Sequence, residues 1–304
     1  MKRQKISLNK GCKICEMSSL VDLSKLFGCL VFAKVEASGP TGTQKDRIAE
    51  AHVKKAKSDG FSRIVAASCG NFGIALAYFA SVSKLSAEIW IPESFDSPRV
   101  EDILQLGASV KRLPVTYEEC VEQSSSYAQG NGYYDANPVS KNRQLEYEAY
   151  GVILDEILEC LSDVRAIACP VSNGVTLAAL GFRARALNKN IRFIAGSSAC
   201  NPIVRSFQSN TKRYRDLEAL DIEETSINEP LINWRSFDGE AALDVIISSG
   251  GAAFGFSDDQ LLHASKELAL VGIEAHPAAC AGFLALKHQS FVPPAVCIIT
   301  AKAY

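Results

Sequence analysis

Short apolar runs alternate along this chain with longer stretches in which apolar positions return every three or four residues. The short runs are Leu30–Val35, Arg63–Ala67, Glu88–Ile91, Ser109–Leu113, Val164–Cys169, Ile191–Gly196 and Ala295–Thr300, and their length and hydrophobicity predict strands. Helices are predicted over Asp46–Ser58, Ile74–Ser83, Val100–Leu106, Glu118–Gln129, Arg143–Cys160, Val175–Leu187, Asp258–Leu270 and Ala278–His288. In the first of these, Ile48, Ala49, His52, Val53 and Ala56 share one face, with Lys54, Lys55 and Lys57 opposite. Strands alternating with helices imply an α/β fold of parallel sheets flanked by helices on both faces. Such sheets bind ligands beyond the carboxyl ends of their strands, so the loops after the strands are where chemistry is expected. The segment Gly130–Ser140, rich in Gly, Asn and Pro, separates two α/β halves and reads as a domain crossing. Gln208–Trp234 is charged, has weak periodicity and reads as a surface loop region.

The length of 304 residues suits about two domains. A hydrophobic content of 47% with 22% charged residues excludes a disordered chain, a collagen and a coiled coil. The formal charge of -2 offers no chain-wide basic field for nucleic acid. No apolar run approaches the ~20 residues of a membrane helix. The segment Lys2-Arg3-Gln4-Lys5 is followed by no apolar core before Asn9, so a cytoplasmic protein is expected. Several of the ten cysteines, such as Cys169 and Cys297, sit inside apolar runs, where reduced, buried thiols are expected. Cys12 and Cys15 form a Cys-x-x-Cys pair, but Cys29 does not supply the second pair that a zinc ribbon needs. The four histidines form no His-Glu-x-x-His pattern, so no metal is expected.

Four strand-end segments could carry chemistry. Ser38 to Arg47 is a Gly- and Pro-rich turn running into a helix, with Lys45 at the helix start. Its glycines are too close together, and its lysine is misplaced, for a nucleotide P-loop. Lys45 reads either as a solvated lysine or as an amine whose pKa the helix N-terminus depresses, which suits a nucleophile. Ser68-Cys69-Gly70-Asn71 reads either as a capped turn or as a carboxylate site with backbone N–H donors and the Asn71 amide. Pro170 to Thr176 is a small-residue loop before a helix, suited to a phosphate on backbone amides. Thr300 ends the last strand, with its hydroxyl expected in the same crevice.

Together these segments resemble the fold-type-II pyridoxal-phosphate enzymes, the tryptophan synthase β group, and among them the threonine synthases. Pro40-Thr41-Gly42-Thr43-Gln44-Lys45-Asp46-Arg47 is similar to that family's Pro-Thr-Gly-Ser-Phe-Lys-Asp-Arg, whose lysine holds the cofactor. Ser68-Cys69-Gly70-Asn71 resembles its Ser-Thr-Gly-Asn, and Pro170-Val171-Ser172-Asn173-Gly174 its Pro-Val-Gly-Asn-Gly. Asn137-Pro138 with Arg143 resembles its Asn-Pro-…-Arg segment. Order and spacing agree from about Leu30 to Thr300. Four positions depart from the pattern: Gln44 replaces an aromatic or histidine, and Ser172 a glycine. Thr300-Ala301-Lys302-Ala303 replaces Thr-Gly-x-Gly, and Ser18-Ser19-Leu20 replaces Thr-Pro-Leu.

The resemblance implies a two-domain fold with pyridoxal 5'-phosphate in the interdomain cleft. Residues 47–138 would form a smaller domain, and 1–46 with 139–304 a larger one. Lys45 would hold the cofactor and shuttle a proton at the substrate Cα. Asn71 would bind the ring hydroxyl, Ser172, Asn173, Gly174, Val175 and Thr176 the phosphate, and Thr300 the pyridine nitrogen. Ser68, Cys69 and Gly70 would take the substrate carboxylate. Asn137 and Arg143 would set specificity, with Arg143 gripping a substrate phosphate or else standing on the surface. The implied reaction converts O-phosphohomoserine and water to threonine and phosphate. The alternatives are β-replacement or β-elimination on phosphoserine, serine or threonine, and a non-catalytic relative that binds the amino acid or the cofactor. A homodimer is expected, with a small amino acid as the partner molecule.

Overall fold

The computed structural model describes residues 20–68, 70–95, 99–138 and 140–303. In chain order it contains β1 (Leu20–Asp22), α1 (Ser24–Phe27), β2 (Val31–Val35), α2 (Lys45–Ser58), β3 (Arg63–Ala67), α3 (Asn71–Val82) and β4 (Ser86–Pro92). Next come α4 (Arg99–Gln105), β5 (Ser109–Leu113), α5 (Tyr117–Gly130), β6 (Tyr134–Asp135), α6 (Arg143–Cys160), β7 (Ala166–Pro170) and α7 (Val175–Ala186). The chain closes with β8 (Arg192–Ser198), α8 (Pro202–Gln208), α9 (Gly239–Ser248), β9 (Ala252–Phe256), α10 (Asp258–Ala269), α11 (Ala281–His288) and β10 (Ala295–Ile299).

The strands form two sheets. One has six strands in the order β1-β2-β10-β7-β8-β9; the other has four, in the order β5-β4-β3-β6. Every pairing is parallel except the antiparallel edge pair β1–β2. Parallel sheets flanked by helices are the α/β arrangement that the alternation of elements predicts. The four-stranded sheet is built wholly from residues between Arg63 and Asp135, and the six-stranded sheet from segments on either side of it. The central strands bury both faces, as parallel sheets require, while the edge strand β5 stays largely exposed. Ile64 and Ala66 join one hydrophobic cluster while Val65 and Ala67 join another; Ile167 and Cys169 likewise separate from Ala166 and Ala168. The largest cluster is continuous from Ile64 and Ile89 of the small sheet, through Ile48, Val53, Leu154 and Ile157, to Ile167 and Phe193 of the large one.

The segment 208–234 is not merely a surface loop. It carries two short 3-10 turns, at Ala219–Asp221 and Glu229–Leu231, and part of it walls the central cavity. No helix among the described residues is long and apolar enough to cross a membrane. Cys12 and Cys15 lie outside the described residues, and within the described residues no group of three or more His, Cys, Asp or Glu side chains is placed to hold a metal.

Candidate active site

Three helices begin at one cavity of about 920 Å³: α2 after β2, α3 after β3 and α7 after β7. The first N–H groups of a helix have no intrahelical partners and carry the positive end of its dipole. The cavity therefore collects several donor sets suited to anions.

Lys45 is the first residue of α2 and lines this cavity. The turn before it is closed by Asp46, whose carboxylate accepts from the Thr41 amide at 3.1 Å and the Thr41 hydroxyl at 2.5 Å. A side chain at Gly39 would run into that carboxylate, its Cβ falling 2.1 Å from Asp46 Oδ2. Gln44 N–H donates to the Thr300 carbonyl at 2.8 Å, which ties the lysine turn to the end of β10. Behind the turn lies a buried charge network that the sequence pattern did not reveal. Arg47 donates to Glu36 at 2.6 Å and to Glu156 at 2.7 Å, and Lys34 donates to Glu156 at 2.6 Å. Two cations and two anions balance there and fix α2 against β2 and α6. Burial lowers the pKa of Lys45, opposed by the Glu146 carboxylate and the Cys169 sulfur. Desolvation is thus the depressing cause found here, where the sequence pointed to the helix dipole.

Ser68, Gly70 and Asn71 also line the cavity; Cys69 lies outside the described residues. Ser68 Oγ accepts from the Gly73 amide at 2.8 Å and steadies the first turn of α3. Asn71 Oδ1 is buried without a hydrogen-bond partner and so is an acceptor awaiting a donor.

Ser172, Asn173, Gly174, Val175 and Thr176 form the rim at the start of α7. The loop is braced from behind. The Ser172 carbonyl accepts from Asn201 Nδ2 at 3.2 Å and Ser236 Oγ at 2.9 Å, and Asn233 Nδ2 donates to Asn173 Oδ1 at 3.0 Å. Gly174 has φ +88°, and a Cβ there would fall 2.9 Å from both the Ala242 Cβ and the Asp238 carbonyl oxygen. Thr300, whose carbonyl accepts from Gln44 N–H, also lines the cavity.

Two expected specificity residues do not reach the cavity. Asn137 is fully buried; its Oδ1 accepts from the Ala67 amide at 2.7 Å and its Nδ2 donates to Asp135 Oδ1 at 2.7 Å. It fastens β6 beside β3 and reaches no ligand space. Arg143 donates from Nε to Asp238 Oδ1 at 2.7 Å, and its side chain is 47% exposed. It braces the turn behind the α7 loop. Lys141 pairs with Asp135 at 3.0 Å. A short polar segment between two halves of a sequence does not reveal which side of a β-strand its amide will face. Cavity residues that the sequence pattern missed include Arg99, Glu146, His276 and the carboxyl-bearing wall of Glu118, Glu224 and Glu229. They come from helix starts and irregular segments outside the strand-end motifs. Burial lifts the Glu229 carboxyl to about 8, with Glu224 adding to it.

The fold and this cavity define a class: α/β proteins of the type-II pyridoxal-phosphate kind. A family model described as "Pyridoxal-phosphate dependent enzyme" matches residues 16–301, and the chain belongs to that family. A threonine synthase of Methanosarcina acetivorans is 25% identical over 303 residues, covering 94% of this chain and 72% of the relative. The human L-serine dehydratase/L-threonine deaminase is 30% identical over 154 residues, 50% of this chain and 46% of that protein. Among solved structures, maize serine racemase superposes with a TM-score of 0.80 at 18% identity, over 94% of this chain and 88% of that one.

The protein is therefore a pyridoxal-phosphate-dependent enzyme, and its residues fit the cofactor. The N-terminus of α7, with its tightly packed Gly174, could receive the phosphate, and the orphaned Asn71 Oδ1 could accept from the ring hydroxyl. Lys45 lines the same cavity, and its amine could bond the aldehyde carbon.

Proposed function

We propose that the protein is a lyase of the threonine synthase type, acting on O-phosphohomoserine and water to give threonine and phosphate. The supporting observation is the number of anion-receiving groups around one cavity. The amides at the start of α7 take the cofactor phosphate. Those at the start of α3, with Ser68 and Gly70, take the substrate carboxylate. Arg99, a buried arginine on the cavity wall, supplies the cation for a second anion on the substrate. It takes the part that Arg143 cannot play from its place on Asp238.

Lys45 would bond the cofactor, and its amine would move a proton at the substrate Cα. The bound cofactor supplies an electron sink for charge developing at that carbon. Asn71 holds the ring hydroxyl. The Thr300 hydroxyl, in place of a carboxylate, would meet the pyridine nitrogen and would leave it largely unprotonated, which would favour elimination and replacement over transamination.

Steady-state kinetics on wild-type protein and Arg99→Gln test the reading. Wild type should release phosphate and form threonine from O-phosphohomoserine. Arg99→Gln should raise KM for that substrate at least about tenfold, since a hydrogen bond to a charged group is worth ~1.5–3 kcal/mol. Its turnover of any unphosphorylated amino acid should hardly change. Keto acid and ammonia from serine or threonine, with no threonine from O-phosphohomoserine, would replace this reading by β-elimination. Binding of cofactor without turnover of any of these substrates would leave a non-catalytic binder.

A further inference from the structure

We propose that the side-chain amide of Gln44 is a specificity-determining group that receives a hydroxyl on the β-carbon of the bound amino acid. This rests on the reading that an amino acid binds beside Lys45. Gln44 immediately precedes Lys45, at the N-cap of α2, and lines the cavity. Only 9% of it is exposed. Its backbone is held at both ends: the N–H donates to the Thr300 carbonyl at 2.8 Å, and the carbonyl accepts from the Arg47 amide at 3.2 Å. Thr43 beside it is bridged to Ala301. The side chain therefore leaves a fixed turn, as a group that reads a ligand must. Its Oε1 is buried and accepts no hydrogen bond from any described residue.

A buried amide oxygen without a donor has lost its water and gained nothing in return. On a cavity wall, that is the mark of a contact whose other half arrives with a ligand. Two such oxygens line this cavity, on Asn71 and on Gln44. The ring hydroxyl of the cofactor supplies one donor, which suits Asn71. The donor for Gln44 then has to come with the amino acid. A carboxylate and a phosphate present acceptor oxygens, which suit the helix starts and Arg99 instead. The α-nitrogen is the atom that bonds the cofactor. The β-carbon remains. In the synthase reaction it receives water and leaves as the hydroxylated carbon of threonine; in β-elimination it brings in the hydroxyl of serine or threonine. Both reactions place the same donor on the same carbon. A hydroxyl also accepts, so it can meet either end of a carboxamide, as neither an ammonium nor a carboxylate can. Position 44 is one of the four at which this chain departs from the threonine synthase pattern, so the contact is a property of this chain.

The experiment uses the holoenzyme as wild type and as Gln44→Met, which keeps the reach of the side chain and removes its amide. Two pairs of amino acids differ only by the β-hydroxyl: threonine and 2-aminobutyrate, and serine and alanine. Dissociation constants are read from the change in cofactor absorption on rapid mixing, before turnover. Wild type should bind the hydroxylated member of each pair at least about tenfold more tightly, because a site built around a buried polar group rejects the ligand that leaves it unpaired. Gln44→Met should bind both members alike. Equal binding within each pair by wild type overturns the proposal, and so does a preference that survives in Gln44→Met. A merely structural Gln44 would lower Tm in the variant and leave the preference intact, which is the same overturning result. Should Gln44→Met fail to fold, Gln44→Leu decides by the same comparison. A preference lost in the variant, with no threonine formed from O-phosphohomoserine by wild type, upholds the role of Gln44 and moves the reaction to β-elimination. A cofactor that responds to none of the four amino acids defeats the amino-acid reading and the role of Gln44 with it.

Discussion

At the scale of single residues, His276 shows how the cavity sets protonation. Its ring is buried on the cavity wall, and Nδ1 accepts from the Ala278 amide at 3.2 Å. Burial, together with the nearby Arg99 guanidinium, lowers its pKa to about 4. The unfolded chain then binds a proton near pH 6.5 that the folded chain refuses until about 4, so this residue makes stability fall as pH drops through that window. The full loss approaches roughly 3 kcal/mol below pH 4. Thermal unfolding of wild type and His276→Gln at several pH values should show a shallower decline in the variant between pH 6.5 and 4; parallel profiles would refute it. The positions that the sequence offered for the cavity, Lys45, Ser68, Gly70, Asn71, Ser172–Thr176 and Thr300, were legible because they all follow strands. Asn137 was placed in the cavity wrongly, and Arg143 takes the surface alternative, because burial of an amide, or capture of a guanidinium by Asp238, depends on partners 70 and 95 residues away. Glu146 and His52, 94 residues apart, carry no local mark of their pairing.

Among the elements, those with a strong period came through with little error. The helix expected over Arg143–Cys160 is α6 end to end, and the strands Arg63–Ala67 and Ser109–Leu113 are β3 and β5. Elements without such a pattern were missed. β9 reads Ala-Ala-Phe-Gly-Phe, too poor in β-branched residues to announce a strand, and β1 and β6 are only three and two residues long. α8 starts at Asn201, which accepts from the Ile203 amide at 2.9 Å ahead of Pro202, a start signal attached to only seven residues. The junction between β7 and α7 gives a sharp prediction. Gly174→Ala must carry a Cβ at φ +88°, within 2.9 Å of the Ala242 Cβ and the Asp238 carbonyl. A cost of about 1–3 kcal/mol is expected from the backbone conformation. The crowding adds to it and displaces the amides at the start of α7. Cofactor affinity measured by fluorescence titration should fall together with Tm. Loss of Tm with unchanged affinity would show that the start of α7 does not hold the phosphate.

At the scale of the whole molecule, the two sheets share one hydrophobic cluster, with Leu154 and Ile157 of α6 inside it. Leu154→Ala should cost about 2–5 kcal/mol, the usual range for a fully buried leucine. Because the cluster is continuous, both sheets should lose stability together. The two tryptophans report on this: Trp90 lies in β4 of the small sheet, and Trp234 on the cavity wall supplied by the other half. Unfolding followed by fluorescence and by circular dichroism should give coincident midpoints, shifted equally in the variant. Separate midpoints would mean that the halves melt independently. The division into two sheets was legible in the alternation of strands and helices. Their contact through α6 was not, since a helix pattern records that a face is buried and not against what. The segment from Ala219 to Trp234 meets this frame at its inner end, where Leu231 is buried and its carbonyl accepts from Asn201 Nδ2 at 3.0 Å. It adds no strand to either sheet, and Arg235 just beyond it meets the small-sheet side through an exposed pair with Glu122 at 3.1 Å. The loop that rims the cavity at α7 is anchored by Asn201, Asn233 and Ser236 and not by the outer part of this wall. Drift and selection can therefore rewrite the outer wall, and with it the molecules admitted, while the frame beneath is inherited intact.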